Sequence, residues 1–186
     1  MIIIGITGTL GAGKGTIVEY LVRQKEFLHF SVRDFITTEI LERNLPVNRD
    51  SMVLVANSLR EKHGPSYIVD QLYLQASKSG KNCVIESIRT PGEVHSLRKN
   101  GSFLLLAVDA DARLRFDRIV KRNSETDQID FQTFLNNEKR EMDSEDPNKQ
   151  NLGQCIELAD YRLSNDHSIQ ELENQVESIL RTASMD

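Results

Sequence analysis

The residues "GITGTLGAGKGT", Gly5 to Thr16, constrain this chain more than any other stretch. Gly8 to Lys14 fit the spacing G-x-x-x-x-G-K. They sit between an apolar run, "MIIIGIT", and a segment, "KGTIVEYLVRQ", whose Ile17, Val18, Leu21 and Val22 share one helical stripe. In a strand, glycine loop and helix of this kind, successive main-chain N–H groups point inward and the helix N-terminus adds positive potential. The backbone itself then holds a polyphosphate. Gly8, Gly11 and Gly13 permit the close approach, Thr9, Ala12, Gly15 and Thr16 complete the cradle, and Lys14 supplies a cation for the outer phosphates. One position is unusual. The loop normally carries Ser or Thr directly after the lysine; here Gly15 stands there and Thr16 comes one residue late.

The same alternation continues along the chain. "LHFSV", "NCVIES", "GSFLLLAV" and, more weakly, "DYRLSN" read as strands. Helical segments fall between them: "RDFITTEILER" up to Pro46, a stretch capped by Asp50 with Met52, Val55, Ala56 and Leu59 on one face, a third capped by Ser66 and stopped by Gly80, then "TPGEVHSLRK". In "DARLRFDRIVKR", Arg115, Arg118 and Arg122 share one face while Ala112, Phe116, Ile119 and Val120 gather on the adjoining face for the core. "FQTFLNNEKREM" resumes helix after a polar interruption, and the last helix opens on the capping-box pair Ser168 and Glu171. "EKREMDSEDPNKQN" reads as a solvated loop. Strands alternating with helices imply an α/β sandwich of three layers, with a mostly parallel sheet of about five strands and helices on both faces.

A chain of 186 residues is most simply one domain, and its 39% hydrophobic and 27% charged content is ordinary for a globular protein. A net charge of −5 argues against broad attraction to nucleic acid or anionic membrane, though clustered arginines can still grip a small anion at contact distance. No apolar run approaches the length of a spanning helix and the N-terminal residues lack a secretory pattern, so a cytoplasmic protein is expected. Cys83 and Cys155 lack metal or disulfide spacing, and the four histidines are scattered and read as structural or surface residues.

"GAGKGT" resembles the loop of adenylate kinase and its nucleoside-monophosphate kinase relatives, where glycine follows the lysine and threonine comes next. The resemblance implies a P-loop NTPase fold with ATP and Mg²⁺ as cofactors. It also implies a core at about 1–30, 80–122 and 155–186, an acceptor-binding helical part at about 31–79, and a short helical lid at about 122–145. "VIESIRTPGE" is similar to the family segment with an acid and then an arginine-threonine pair, so Glu86 is expected near Mg²⁺ through water, together with Thr16, and Arg89 on the acceptor phosphate. "DRIVKR" is similar to the segment entering the lid, which makes Arg118 the residue against the adenine and Arg122 the one that stabilises the transition state; Arg140 stands where relatives return a lid arginine. "FSVRDFITTE" looks like the acceptor-side segment with Asp34 in the acid's place. The arginine expected three residues later is Thr37, and Arg33 is the neighbouring substitute. "ELADYRLSNDHSIQELENQV" resembles archaeal adenylate-kinase-related proteins, phage deoxynucleotide kinases and dephospho-coenzyme A kinases, and that likeness makes Asn165 and Asp166 base-site candidates.

These residues are expected to serve a phosphotransferase acting on a nucleoside or deoxynucleoside monophosphate, in a monomer or homodimer with nucleotide substrates as partners. Dephospho-coenzyme A kinase is the alternative within the class, although such enzymes usually carry Ser or Thr after the lysine. A nucleotide-binding regulator or weak ATPase is the alternative outside it, with Thr37 as its best support. A GTPase is disfavoured by Gly15 and by the lack of an N-K-x-D motif.

Overall fold

The computed structural model describes residues 1–122 and 129–183. Its strands are β1 (Ile3–Gly8), β2 (Leu28–Ser31), β3 (Cys83–Glu86), β4 (Phe103–Asp109) and β5 (Tyr161–Ser164), ordered β2-β3-β1-β4-β5 with every neighbouring pair parallel. Parallel neighbours need crossovers, and the helices supply them: α1 (Lys14–Lys25), α2 (Val32–Glu42), α3 (Arg49–His63), α4 (Tyr67–Ser79), α5 (Pro91–Lys99), α6 (Ala112–Arg122), α7 (Phe131–Met142), α8 (Leu152–Glu157) and α9 (Ile169–Ala183). Alternation along β1 divides the core. Ile3 faces a cluster with Ile36, Val55, Leu72, Val94 and Cys155, whereas Ile4 and Ile6 face one with Ile17, Leu21, Leu172 and Val176. This is the three-layer P-loop α/β fold.

Register aligns the carboxyl ends of the strands. Ile6 sits opposite Glu86, Glu86 opposite Ser31, Gly8 opposite Val108 and Asp109 opposite Ser164. Ligands of open parallel sheets bind at this edge, beside the central strand whose neighbours cross over to opposite sides.

Three local expectations are corrected. Asn48, not Asp50, caps α3: its side chain accepts from Ser51 N, and Asp50 falls in the first turn, where its charge suits the helix dipole. Val22 and Val120 are 37% and 51% exposed, because α1 buries a narrower stripe than its sequence offers and α6 packs on α7 through Phe116, Phe131 and Phe134 rather than on the sheet. The polar stretch ending at Asn151 is no solvated loop. Asn151 is buried and caps the short helix α8 by accepting from Gln154 N, and Glu138 and Glu141 both lie in α7 with arginine partners.

One buried charge pair ties the sheet edge to α3. Thr90 and Glu93 form a complete capping box at the start of α5, and Glu93 Oε1 also accepts from Arg60 Nη2 at 2.8 Å, with both side chains almost wholly enclosed. Removing the acid strands a buried guanidinium and opens a helix start, so Glu93→Ala is expected to cost about 3–5 kcal/mol in urea unfolding. Glu93→Gln, which keeps the cap acceptor, is expected to cost less.

Candidate active site

The glycine loop folds as its sequence requires. Gly8 has φ 140°, and a Cβ there would stand 2.1 Å from the Val108 carbonyl oxygen; Gly13 has φ 105°, and a Cβ would stand 2.1 Å from Asn165 Nδ2. Both positions exclude a side chain. Asn165 is 6% exposed and donates through Nδ2 to the Ala12 carbonyl at 2.8 Å, so the chain after β5 braces the loop directly. Arg118 Nη2 donates to the Asn165 carbonyl at 2.7 Å. The structure thus brings Arg118, Asn165, Ala12 and Gly13 together. Asp166 is exposed and holds the local turn, accepting from Asp111 N and Ser164 Oγ; those bonds keep its carboxyl below the usual range. Nothing stands within 4 Å of a Cβ built on Gly15, so the missing hydroxyl is not a matter of crowding.

Lys14 Nζ donates to the carbonyls of Gly8 and Thr9, both at 2.8 Å. Burial, with the Arg89 charge adding to it, lowers its pKa to about 7; the Glu86 and Glu141 charges oppose the shift, and Arg122 adds to it. Arg122 is exposed, yet its charge reaches the lysine from the end of α6. A triphosphate beside Lys14 stabilises the charged form and raises that pKa. Triphosphate binding would then take up a proton above pH 7 and almost none below it, so affinity for a triphosphate is expected to fall as pH rises. Calorimetric titrations at pH 8 in buffers of different ionisation enthalpy are expected to show uptake approaching one proton, and titrations at pH 6 little.

Glu86 ends β3 beside the loop. His29 Nε2 lies 3.4 Å from Glu86 Oε1 and Ser31 Oγ donates to the same oxygen at 3.4 Å; the His29 hydrogen bond chiefly holds the carboxyl below its usual range, and the Lys14 charge helps. His29 is therefore part of the site and not merely a surface residue. Asp109 ends β4 and accepts from Thr9 Oγ1 and from its neighbour Ala110 N, fixing the other flank of the loop. Among the described residues no group of three or more His, Cys, Asp or Glu side chains could hold a metal ion unaided.

A cleft opens on the other side of the loop. Leu10, Val32, Ile36, Met52, Val53 and Ala56 line it, and so do Arg33, Arg49, Arg60, Arg89, Ser87, Glu141 and Gln150. Arg89 Nη1 donates to Glu141 Oε2 at 2.7 Å and to Gln150 Oε1 at 2.8 Å, and Arg49 Nη2 donates to Glu141 Oε1. Burial alone would raise the Glu141 pKa, but the Arg89 and Arg49 charges outweigh it and hold the carboxyl below its usual range. Ser87 has φ 66°, a left-handed conformation uncommon for serine, where the chain turns from β3 into the cleft.

Sequence reasoning placed Arg33 and Arg89 here and missed Arg49, Arg60, Glu141 and Gln150. Arg49 lines the cleft together with Arg33, and the Thr37 hydroxyl donates to the Arg33 carbonyl. Asp34 is exposed and does not line the cleft; its main-chain N–H donates to Ser31 Oγ, which caps α2. Arg140 is also exposed and makes no hydrogen bond or ion pair with the described residues, whereas its neighbour Glu141 turns inward. Arg115, placed by periodicity with the polar face, is 4% exposed: it donates to the carbonyls of Ala110 and Leu10 and pairs with Glu138 of α7. It joins α6, α7 and the glycine loop. Of the anticipated lid, residues 129–145 are described and 123–128 lie outside the described residues.

Fold and glycine loop together place the protein in the P-loop α/β class. The chain belongs to the AAA domain family, whose model matches residues 4–146, and to the UPF0200 proteins. It is 31% identical to the UPF0200 protein of Methanococcus vannielii over 97% of this chain and 96% of that one, and 30% identical to that of Methanocaldococcus jannaschii over 97% and 90%. Among solved structures, a gluconokinase from Sinorhizobium meliloti matches with a TM-score of 0.58 at 11% identity, covering 98% of this chain and 94% of that one. Shikimate kinase from Aquifex aeolicus matches at 0.57 and 12%, covering 98% of each. At these identities the structural matches speak to the fold alone. No described helix is long and apolar enough to cross a membrane.

Proposed function

We propose that the chain is an ATP- and Mg²⁺-dependent phosphotransferase whose acceptor is a nucleoside or deoxynucleoside monophosphate. The single observation that carries this reading is the charge of the cleft beside the glycine loop. Four arginines line it, Glu141 offsets one and Glu93 matches Arg60, which leaves two positive charges against an apolar wall. A dianionic phosphate monoester on a flat, largely apolar body fits that balance better than a monoanionic carboxylate.

The residues fit the donor as well. The loop amides and Lys14 suit a triphosphate, and Arg118, tied to the Asn165 carbonyl beside the loop, would rest against the base. Thr16 and the Glu86 carboxylate are the groups that would hold Mg²⁺, in part through water, and the ion would neutralise charge on the outer phosphates. Gly15 has no hydroxyl to offer that ion. The protein's own part is to align two phosphorylated substrates and to spread cationic charge over the moving group.

The test is acceptor-dependent ADP formation from MgATP with a panel of ribo- and deoxynucleoside monophosphates, dephospho-coenzyme A, gluconate and shikimate. Turnover confined to monophosphates is the expected result. ADP that forms equally without any acceptor would return the chain to a weak ATPase.

A further inference from the structure

Glu141 engages both of its carboxylate oxygens with arginines from separate parts of the fold. Oε2 accepts from Nη1 of Arg89, just after β3, and Oε1 accepts from Nη2 of Arg49, in the first turn of α3. Arg89 is steadied twice more: Nη1 also donates to Gln150 Oε1 at 2.8 Å, and its main-chain carbonyl accepts from Asn151 N at 2.9 Å. Each arginine commits one nitrogen to the acid. Nε and Nη1 of Arg49, and Nε and Nη2 of Arg89, make no hydrogen bond to the described residues, and both side chains line the cleft.

Nothing in α7 itself favours an acid at this position. Glu141 stands in the last turn, where the helix dipole disfavours negative charge, and burial disfavours it further; the Arg89 and Arg49 charges reverse that balance. The helix that carries the acid is held still. One turn earlier Glu138 pairs with Arg115 of α6, Phe134 is 1% exposed, and the helix end lies so near α8 that a Cβ on Gly153 would stand 2.8 Å from the Met142 carbonyl oxygen. A helix held at three points keeps its acid beside the arginines, as a strut does.

We infer that Glu141 is a positioning residue for the acceptor: it holds Arg49 and Arg89 as a pair and leaves their other N–H groups for the acceptor's phosphate. The inference rests on the monophosphate reading of the same site. Two long side chains from different elements have rotamer freedom to lose and repel each other at close range, and a bridging carboxylate settles both before the substrate arrives. Charge alone works the other way. A carboxylate in the cleft repels a dianionic phosphate, so on that ground its removal tightens acceptor binding. Positioning and charge therefore predict opposite signs for one substitution.

Its test measures KM for the best monophosphate of the acceptor panel in the parent, Glu141→Gln and Glu141→Asp. Both variants are expected to raise that KM by about 10-fold or more: Gln loses the charge that draws the two guanidinium groups together, and Asp keeps the charge on a stem too short to reach both. The dissociation constant of a nonhydrolysable ATP analogue is expected to change by less than about twofold. On an Arg49→Ala background, Glu141→Gln is expected to cost clearly less, because the acid acts through that arginine. A KM that falls in Glu141→Gln, or stays unchanged in both variants, overturns the inference and leaves the monophosphate kinase standing. Losses that simply multiply in the double variant, or an equal loss of ATP affinity, overturn it too, the last by making Glu141 a structural residue. A panel in which no monophosphate is phosphorylated overturns both readings. Should the variants fail to fold, a crystal structure of the parent with the acceptor decides: its phosphate is expected on the remaining nitrogens of Arg49 and Arg89 with Glu141 still in place, and a phosphate that has displaced Glu141 from both arginines overturns the inference.

Discussion

Lys14→Ala is expected to lower kcat/KM for phosphoryl transfer by about 10³-fold or more while leaving the melting temperature within a few degrees of the parent. The two halves of this expectation have one cause. Lys14 holds two loop carbonyls, but burial and the Arg89 charge bring its pKa down to about 7, so the folded protein carries this ammonium at a cost. Removing a group whose charged form is disfavoured loses little stability, because its two hydrogen bonds are offset by relief of that desolvation. With a triphosphate in place the balance reverses. The same ammonium then faces anionic oxygens in a partly dehydrated site, where its attraction is strongest, and its absence is felt when charge develops on the transferred group. Steady-state kinetics and thermal melts of the two proteins check both halves, and a variant that melts far earlier would show Lys14 to be a structural residue.

The parts of this molecule readable from sequence are those in which the physics is local. The turn from β1 into α1 is one continuous segment whose glycines, lysine and apolar flanks all lie within a few residues, so motif and fold coincide. Four strands announce themselves as apolar runs, and β5, resting on Tyr161 and Leu163, has the same short alternation. The cleft is different. Arg49 comes from the first turn of α3, Glu141 from α7 and Gln150 from the residue before the cap of α8, and only the crossovers of the sheet bring them to Arg89. No spacing rule relates residues so distant in the chain. Arg115 shows the opposite error: helical periodicity put it on the face of Arg118 and Arg122, apart from the core, but a carboxylate 23 residues later and two carbonyls satisfy its charge in the interior. Periodicity reports where apolar atoms go, and it is silent about a charge that finds a buried partner.

Arg122 carries the remaining large expectation. It lies one turn beyond Arg118 on α6, and α6 is fixed at two earlier points: Arg115 to the Leu10 carbonyl and Glu138, and Arg118 to the Asn165 carbonyl. A helix so anchored presents its next turn along the same face, and the Arg122 charge already acts on Lys14 across the loop. In this state the side chain is exposed, so its value lies in what it meets when both substrates are present. Guanidinium groups that join a transferring phosphoryl group only at the transition state are worth about 10³–10⁵ in rate. Arg122→Ala is therefore expected to lower kcat and kcat/KM together by about 10³-fold while changing the dissociation constant for ATP by less than about threefold, since ground-state binding belongs to the loop. Arg122→Lys is expected to recover only a small part of the loss, because an ammonium lacks the planar fork that meets two oxygens at once. An equal loss in ATP affinity would instead make Arg122 a donor-binding residue, and the charge needed at the transition state would have to come from Arg89 or from the lid.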